Sequence, residues 1–258
     1  MSHFLTEEDV RSMIRLVGEV AMIEGDHAAK KRYLMDGLCD LIGADKWAWG
    51  LSCRTVEGSP QVYVNFLFGG MTEVEVPRLL KAVEHPDMAW VIGDFFKEIE
   101  EKKTHLTRLR SEIVADSEFL KTEAFDYWKE ADIGPVIMSV RPLDGESGST
   151  VALYRRFGKP MFSIRESKIA HIILTEVPWL HELGWPEDRG VSVPRLYPQQ
   201  RIVLNLLLQG EDRKSIASQL DISINTVSGY VKELYQHFNV NSQSELLARF
   251  FSGNGGDR

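Results

Sequence analysis

Ser228, Lys232 and Gln236 are polar residues spaced by four in a stretch whose apolar residues Val227, Val231, Leu234 and Phe238 recur at steps of four, three and four. A helix turns ~100° per residue, so the two sets fall on opposite faces. One face can bury. The other presents a hydroxyl, an ammonium and an amide, with Gly229 and Tyr235 at its edges. These groups hydrogen-bond base edges or phosphate oxygens, and Gly229 lets a duplex backbone come close. Asn225 and Thr226 fall in the first turn, where free backbone amides can meet a phosphate. Tyr230 and, upstream, Lys214 complete the candidate set. The chemistry these residues imply is recognition of double-stranded DNA.

Such a face needs a rigid mount. Ser223 suits the N-cap of this helix, and Asp212 that of a preceding helix carrying Ile216, Ala217 and Leu220 as an inward stripe, Ala217 being small enough for a close neighbour. Only Asp221-Ile222 separate the two, the short turn of a helix-turn-helix. Pro198 opens an earlier helix that ends at Gly210. A fourth helix runs from Ser242 to Phe251, with Ser242-x-x-Glu245 as a capping box and Leu246, Leu247, Phe250 and Phe251 apolar on one side.

The set Gly210, Ile216-Ala217, Leu220, Ile222-Ser223, Thr226-Val227, Leu234, Val240 and Leu246 resembles the LuxR-type helix-turn-helix signature, over residues 195–251, about a fifth of the chain. The resemblance implies a four-helix domain with its third helix (about 223–238) in the major groove, its second crossing the backbone and its fourth contributing to a homodimer. Leu246, Leu247 and Phe250 are then the dimerisation candidates. The chain departs from the pattern at Tyr197, at Gln199-Gln200, at Ser228 and Tyr230 where a basic residue and a histidine are usual, and at Gln243 where an arginine is. These departures remove positive charge, so binding is expected to lean on dimerisation and to be salt-sensitive in absolute strength.

Charge counts agree. A formal −8 and a pI near 5.5 run against nucleic-acid binding on average. Residues 195–258 carry seven Lys/Arg against six Asp/Glu, which leaves −9 on residues 1–194. The acid sits in front and the tail is near neutral.

The front of the chain alternates periods. Thr6 caps an acidic first turn, and Val10, Met13, Ile14, Val17, Val20 and Ala21 follow at helical spacing. A second helix runs from about Asp26 to Gly43. Lys46–Arg54 alternates Trp47, Trp49, Leu51 and Cys53 with Ala48, Gly50 and Ser52, and Gln61–Phe68 reads as its hairpin partner. Residues 72–130 are expected to form several short helices; Ile133–Val140 and Thr150–Arg156 form two more strands; Ser163 opens a last helix running to about Leu183 through Pro178. Hairpins with helices before and between them predict an α+β sandwich with an antiparallel sheet. Over residues 25–183 this order resembles the PAS/GAF-type sensor fold. The expected organisation is a sensor or regulatory domain at 1–184, a Pro/Gly-containing linker at 185–194 and the helix-turn-helix domain at 195–258.

Trp47, Trp49, Tyr63 and Phe66 are candidates for lining a ligand pocket, although aromatics alternating along strands are also what core packing produces. Cys39 and Cys53 read as packed thiols; His171 and His181, ten apart on one helix, read as packing or surface and lack metal spacing. No nucleophile elbow, phosphate-binding glycine loop or zinc-ligand pair is present, so no catalytic residue, metal or cofactor is expected. No apolar run of ~18 residues or signal-peptide order occurs, which predicts a cytoplasmic chain without a membrane partner. Relatives of the reading head carry a receiver, an acyl-homoserine-lactone pocket or another sensor. The layout excludes the alternating βα units of a receiver. Of a lactone sensor's Asp-Pro pattern only the reversed Glu84-His85-Pro86-Asp87 is present. A DNA-binding regulator controlled by a signal, with an unidentified small molecule as one such signal, is the leading expectation. The competing one is a receptor or interaction module whose tail serves assembly.

Overall fold

A computed structural model describes residues 4–24, 27–53, 62–72, 74–83, 85–143, 147–182, 198–208, 210–220, 222–238 and 240–251. The chain divides into two compact units, Met1–Gly184 and Trp185–Arg258. The expected linker at 185–194 lies outside the described residues.

The first unit opens with helices α1 (Glu7–Met22) and α2 (His27–Ile42). The cap at Thr6 is a full capping box: the Thr6 hydroxyl accepts from Asp9 N, and the Asp9 carboxylate accepts from Thr6 N at 2.8 Å. Asp9 also takes Arg165 Nε at 2.8 Å, and this guanidinium holds its carboxyl well below the usual carboxylate range.

Strands β1 (Lys46–Cys53) and β2 (Val62–Gly69) follow. Then come α3 (Glu75–Val83), α4 (Met88–Val91), α5 (Gly93–Lys102), β3 (Leu106–Leu109), α6 (Arg110–Ile113), α7 (Asp116–Phe119), α8 (Glu123–Glu130), β4 (Val136–Pro142), β5 (Ser147–Tyr154), α9 (Ile164–Thr175) and α10 (Pro178–Glu182). The five strands form one antiparallel sheet in the order β2-β1-β5-β4-β3. This is the expected antiparallel α+β architecture, with two corrections.

Residues 106–109 are a strand, where helical pieces alone were expected. The polar Lys102-Lys103-Thr104 break works as a reversal: Lys103 takes a left-handed conformation (φ 49°) and donates its N–H to Ile99 O at 2.8 Å, turning the chain into the sheet edge. The last helix is also two helices, because Pro178 lacks an amide hydrogen and pushes Val177 out of helical conformation.

Pairing fixes the faces of the sheet. Trp49 lies opposite Val151, which lies opposite Ser139, which lies opposite Thr107. Trp47, Leu153, Ile137 and Leu109 form the next such row. This face carries both tryptophans and is covered by α2 and α9, whose Leu34, Met35, Leu38, Ile169, Ala170 and Ile173 are buried. The opposite face carries Val136, Met138, Val140, Ala152 and Tyr154. It packs into one apolar cluster with Leu79, Met88, Phe95, Phe96, Phe119 and Trp128 from the helices between β2 and β4.

The second unit holds α11 (Pro198–Leu208), α12 (Arg213–Gln219), α13 (Ile224–His237) and α14 (Gln243–Phe251). Its core is Val203, Leu204, Leu207, Ile216, Ala217, Val227, Val231, Leu234, Phe238 and Leu246. Gly210, at φ 87°, ends α11 by letting Glu211 N reach Leu206 O at 2.9 Å.

Candidate nucleic-acid interface and the interior of the first unit

Helix α13 starts where its sequence says it should. Ser223 Oγ accepts from Thr226 N at 3.0 Å, and Asp212 does the same for α12, accepting from Lys214 N at 2.9 Å and Ser215 N at 2.7 Å. The apolar face of α13 is fully buried against α11 and α12. Its other side faces out: Asn225, Gly229, Lys232 and Gln236 are exposed and Ser228 is half-buried. A Cβ built on Gly229 meets nothing within 4 Å, so this glycine leaves open space above the helix.

Ser228, Lys232 and Gln236 line one concavity of about 630 Å³ together with Arg213, Tyr235, Val240 and Asn241. Arg213 was not among the sequence candidates. The signal for it was its position: a cation in the first turn of α12, at the positive end of the helix dipole, is unfavourable unless an anion is to be met there. Lys214 is exposed beside it. Thr226 and Tyr230 lie off the concavity. The Thr226 hydroxyl is 2.8 Å from Ser223 Oγ and belongs to the cap, while Tyr230 sits half-buried at the margin of the apolar face.

Of the proposed pocket aromatics, the two tryptophans are placed differently from expectation. Trp47 and Trp49 are buried under α2 and committed to hydrogen bonds, Trp47 Nε1 donating to Asp36 Oδ1 and Trp49 Nε1 to Ser149 Oγ, each at 2.7 Å. Tyr63 and Phe66 pair with Ser52 and Gly50 in the register of β1 and β2, and their side chains lie outside the described residues. A void does occur, on the face of the sheet opposite the tryptophans. It measures about 20 Å³, room for about one water, and is lined by Val83, Met88, Ile92, Trp128, Val136, Met138, Ala152 and Tyr154. Trp128, one of these residues, has a buried Nε1 without a hydrogen-bond partner among the described residues.

Beneath Trp49 three histidines converge, His105 just ahead of β3, His171 on α9 and His181 on α10. His105 Nε2 is 2.7 Å from Ser139 Oγ, which is 2.7 Å from Thr107 Oγ1, itself 3.0 Å from His171 Nδ1. His181 reaches Ser149 Oγ at 2.8 Å through Nδ1 and Leu174 O at 2.9 Å through Nε2. The ring of His105 stands 5.2 Å from that of His181 and 5.8 Å from that of His171. Burial pushes His105 down to about 4 and His181 down to about 3, with the neighbouring histidine acting in the same direction; His171 is lowered too, by burial and then by Arg108. No group of His, Cys, Asp or Glu among the described residues is arranged to hold a metal, and no described helix is long and apolar enough to cross a membrane. Cys39 is buried, and burial pushes its thiol up, as expected of an inert packed cysteine.

Residues 195–250 match the family described as bacterial regulatory proteins, luxR family. This segment is a LuxR-family domain. Solved structures similar to the chain include the VqsR LBD domain from Pseudomonas aeruginosa, at 17% identity over 68% of this chain and 94% of that one, with a TM-score of 0.45. Escherichia coli SdiA is similar at 13% identity over 93% of this chain and 95% of that one, TM-score 0.38. SdiA in complex with octanoyl-rac-glycerol is similar at 13% identity over 95% of each chain, TM-score 0.39. No curated protein sequence matches the chain.

Two expectations for the LuxR-family domain change with its geometry. Gln243, counted as a loss of charge from the DNA face, lies away from it. Its Nε2 donates to Leu207 O at 2.8 Å and Glu211 O at 3.0 Å, closing the C-terminal end of α11. Gln243→Ala is therefore expected to lower the stability of this domain by about 1 kcal/mol, read in thermal unfolding by circular dichroism, with the outward face of α13 unaltered. Leu246 is fully buried inside the domain, donating its N–H to Ser242 O at 3.0 Å, so it belongs to the domain core and cannot serve as a dimer contact. Leu247 is half-buried, and the side chain of Phe250 lies outside the described residues.

Proposed function

We propose that this protein is a homodimeric, sequence-specific DNA-binding transcription regulator, with α13 entering the major groove and the first unit setting its activity. The observation that carries the reading is the pairing of a LuxR-family domain at 195–250 with an α13 face that buries Val227, Val231 and Leu234 and turns Asn225, Ser228, Gly229, Lys232 and Gln236 outward. A helix about 10–12 Å across fits the major groove, about 12 Å wide, and those side chains are of the kinds that read base edges. Arg213 and Lys214, at the start of α12, are placed to meet the flanking phosphates. Selection of genomic fragments followed by footprinting tests the reading. A protected site shared among the selected fragments is expected, and folded protein with no sequence preference at low salt would overturn it.

A small molecule is the input this reading favours. The about 20 Å³ void between the sheet and the α3–α8 helices is apolar, and one of its lining residues, Trp128, has a buried, partnerless indole N–H that would be its hydrogen-bond donor. A mainly apolar ligand with a single acceptor oxygen suits that lining. It would have to spread the helices to enter, which provides a route from binding to a change of state. Native mass spectrometry of the expressed chain should reveal a co-purifying small molecule that Trp128→Phe, which removes the donor and keeps an apolar ring, retains less well. Equal retention by the variant would sink the assignment of Trp128.

A further inference from the structure

Helix α1 is apolar on two faces, and the fold uses only one. Met13, Leu16 and Val20 are buried against the first unit. About 150° around the helix, Val10, Ile14, Gly18 and Met22 follow at steps of four, with Val10 at 41% exposure, Ile14 at 68% and Met22 at 81%. Gly18 sits within this stripe, and a Cβ built on it meets nothing within 4 Å. Neither packing nor backbone conformation in the single chain requires a glycine there, and glycine is among the costliest residues in a helix interior. It does permit another helix to come close.

We propose that this stripe pairs with the same stripe of a second copy of the chain, antiparallel about a twofold axis passing beside Gly18. The inference rests on the homodimeric reading above and names its interface. A twofold axis at Gly18 sets Ile14 against Met22 of the partner subunit and Met22 against the partner's Ile14, so both large exposed apolar side chains are covered by one operation. The flanking charges agree with the same register. Arg15 makes no intramolecular ion pair among the described residues; in the antiparallel arrangement it stands level with the partner's Ala21, and its long side chain reaches about 3 Å along the axis to Glu19 of the partner subunit, twice per dimer. Glu19 is exposed and already oriented, since its Oε2 accepts from Tyr33 Oη at 3.0 Å. A helix of 16 residues is only about 24 Å long, so this contact alone is a weak one.

The test is sedimentation velocity of the full-length chain from about 1 to about 100 µM. The wild type should pass from monomer to dimer in that range. Ile14→Glu and Gly18→Leu should each move the midpoint upward at least about tenfold, with unchanged circular dichroism, since both positions are open to solvent. Arg15→Glu should weaken the dimer, and Arg15→Glu combined with Glu19→Arg should restore most of the loss, which a merely structural role would not do. A dimer indifferent to all of these changes would overturn the α1 interface and leave the homodimeric reading standing. A monomer at every concentration would overturn both, including where another part of the same chain covers the stripe. DNA binding is scored separately by footprinting.

Discussion

The first unit should lose about 2 kcal/mol of stability for each of its two most buried histidines as the pH falls from about 6.5 to 5. The cause is where protons bind. An unfolded histidine titrates near 6.5, whereas burial holds His105 near 4 and His181 near 3 in the fold. Above 6.5 both states are neutral and pH has no leverage. Between 6.5 and the folded values the unfolded chain takes up protons that the folded chain refuses, so stability falls by about 1.4 kcal/mol per pH unit for each histidine. The charged neighbours add to the effect. Lys31 from α2 lies over the Trp49 ring, Arg141 from β4 acts on both rings, and Arg108 from β3 acts on His171. A proton arriving on any of the three histidines meets positive charge.

Carboxylates contribute in a separate window. Hydrogen bonding to Lys46 holds Glu75 down at about 2, so its stabilising effect is complete above the unfolded value of 4.5 and fades only below it. A loss that begins near 6.5 therefore reports histidine. Urea unfolding followed by tryptophan fluorescence reports chiefly on this unit, because five of the six tryptophans precede residue 185. His105→Gln should reduce the slope between pH 6.5 and 5 by about half, whatever it does to stability at pH 7.5. A curve that is flat from pH 7 to 5 would refute the assignment.

That network was invisible in the sequence for a physical reason. His105, His171 and His181 converge only because the short strand β3 joins the sheet edge beside β4 and because Pro178 starts a new helix. Both features depend on long-range packing. Four residues with Arg108 among them carry too little alternation to read as a strand. In the second unit the determinants are local. Caps at Asp212, Ser223 and Ser242 lie within three residues of the amides they satisfy, and the spacing of Val227, Val231, Leu234 and Phe238 alone selects the buried face, so helices and outward face were both legible. Helix α1 shows the limit of such reasoning. Val10, Met13, Ile14, Val17 and Val20 are all apolar at helical spacing, and periodicity cannot say which of them meets the rest of its own chain. For Trp47 and Trp49 the pocket expectation met the same limit: the alternation along β1 was right, but the side on which helices leave a void depends on residues 75–130 folding over Ala48 and Ala152 rather than over the two tryptophans.

Replacing Ser228 with arginine should tighten DNA binding about tenfold per half-site, the effect of one charge-assisted hydrogen bond of about 1.4 kcal/mol. Position 228 is where LuxR-type sequences usually carry a basic residue, and here its hydroxyl shares a concavity with Arg213 and Lys232. A third cation in that concavity is repelled in the free protein, and a phosphate relieves the repulsion, so the advantage appears on binding. The salt dependence should steepen by about 0.9 in log K against log salt for each additional phosphate neutralised. Lys232→Ala separates two roles. If the ammonium meets a base edge, about 1–3 kcal/mol is lost and specificity relaxes at one position; if it meets a phosphate, all sequences weaken alike and the slope falls by about 0.9. Residues 195–258 carry a net charge of only +1, with seven Lys/Arg against six Asp/Glu, so few phosphates are neutralised and the wild-type slope should be shallow, the reverse of the salt sensitivity expected from the sequence, with much of the affinity coming from two heads acting together. Ser228→Arg and Lys232→Ala proteins that bind the selected site with wild-type affinity and slope would remove this face of α13 from the interface, and with it the reading of the concavity as a DNA-binding surface.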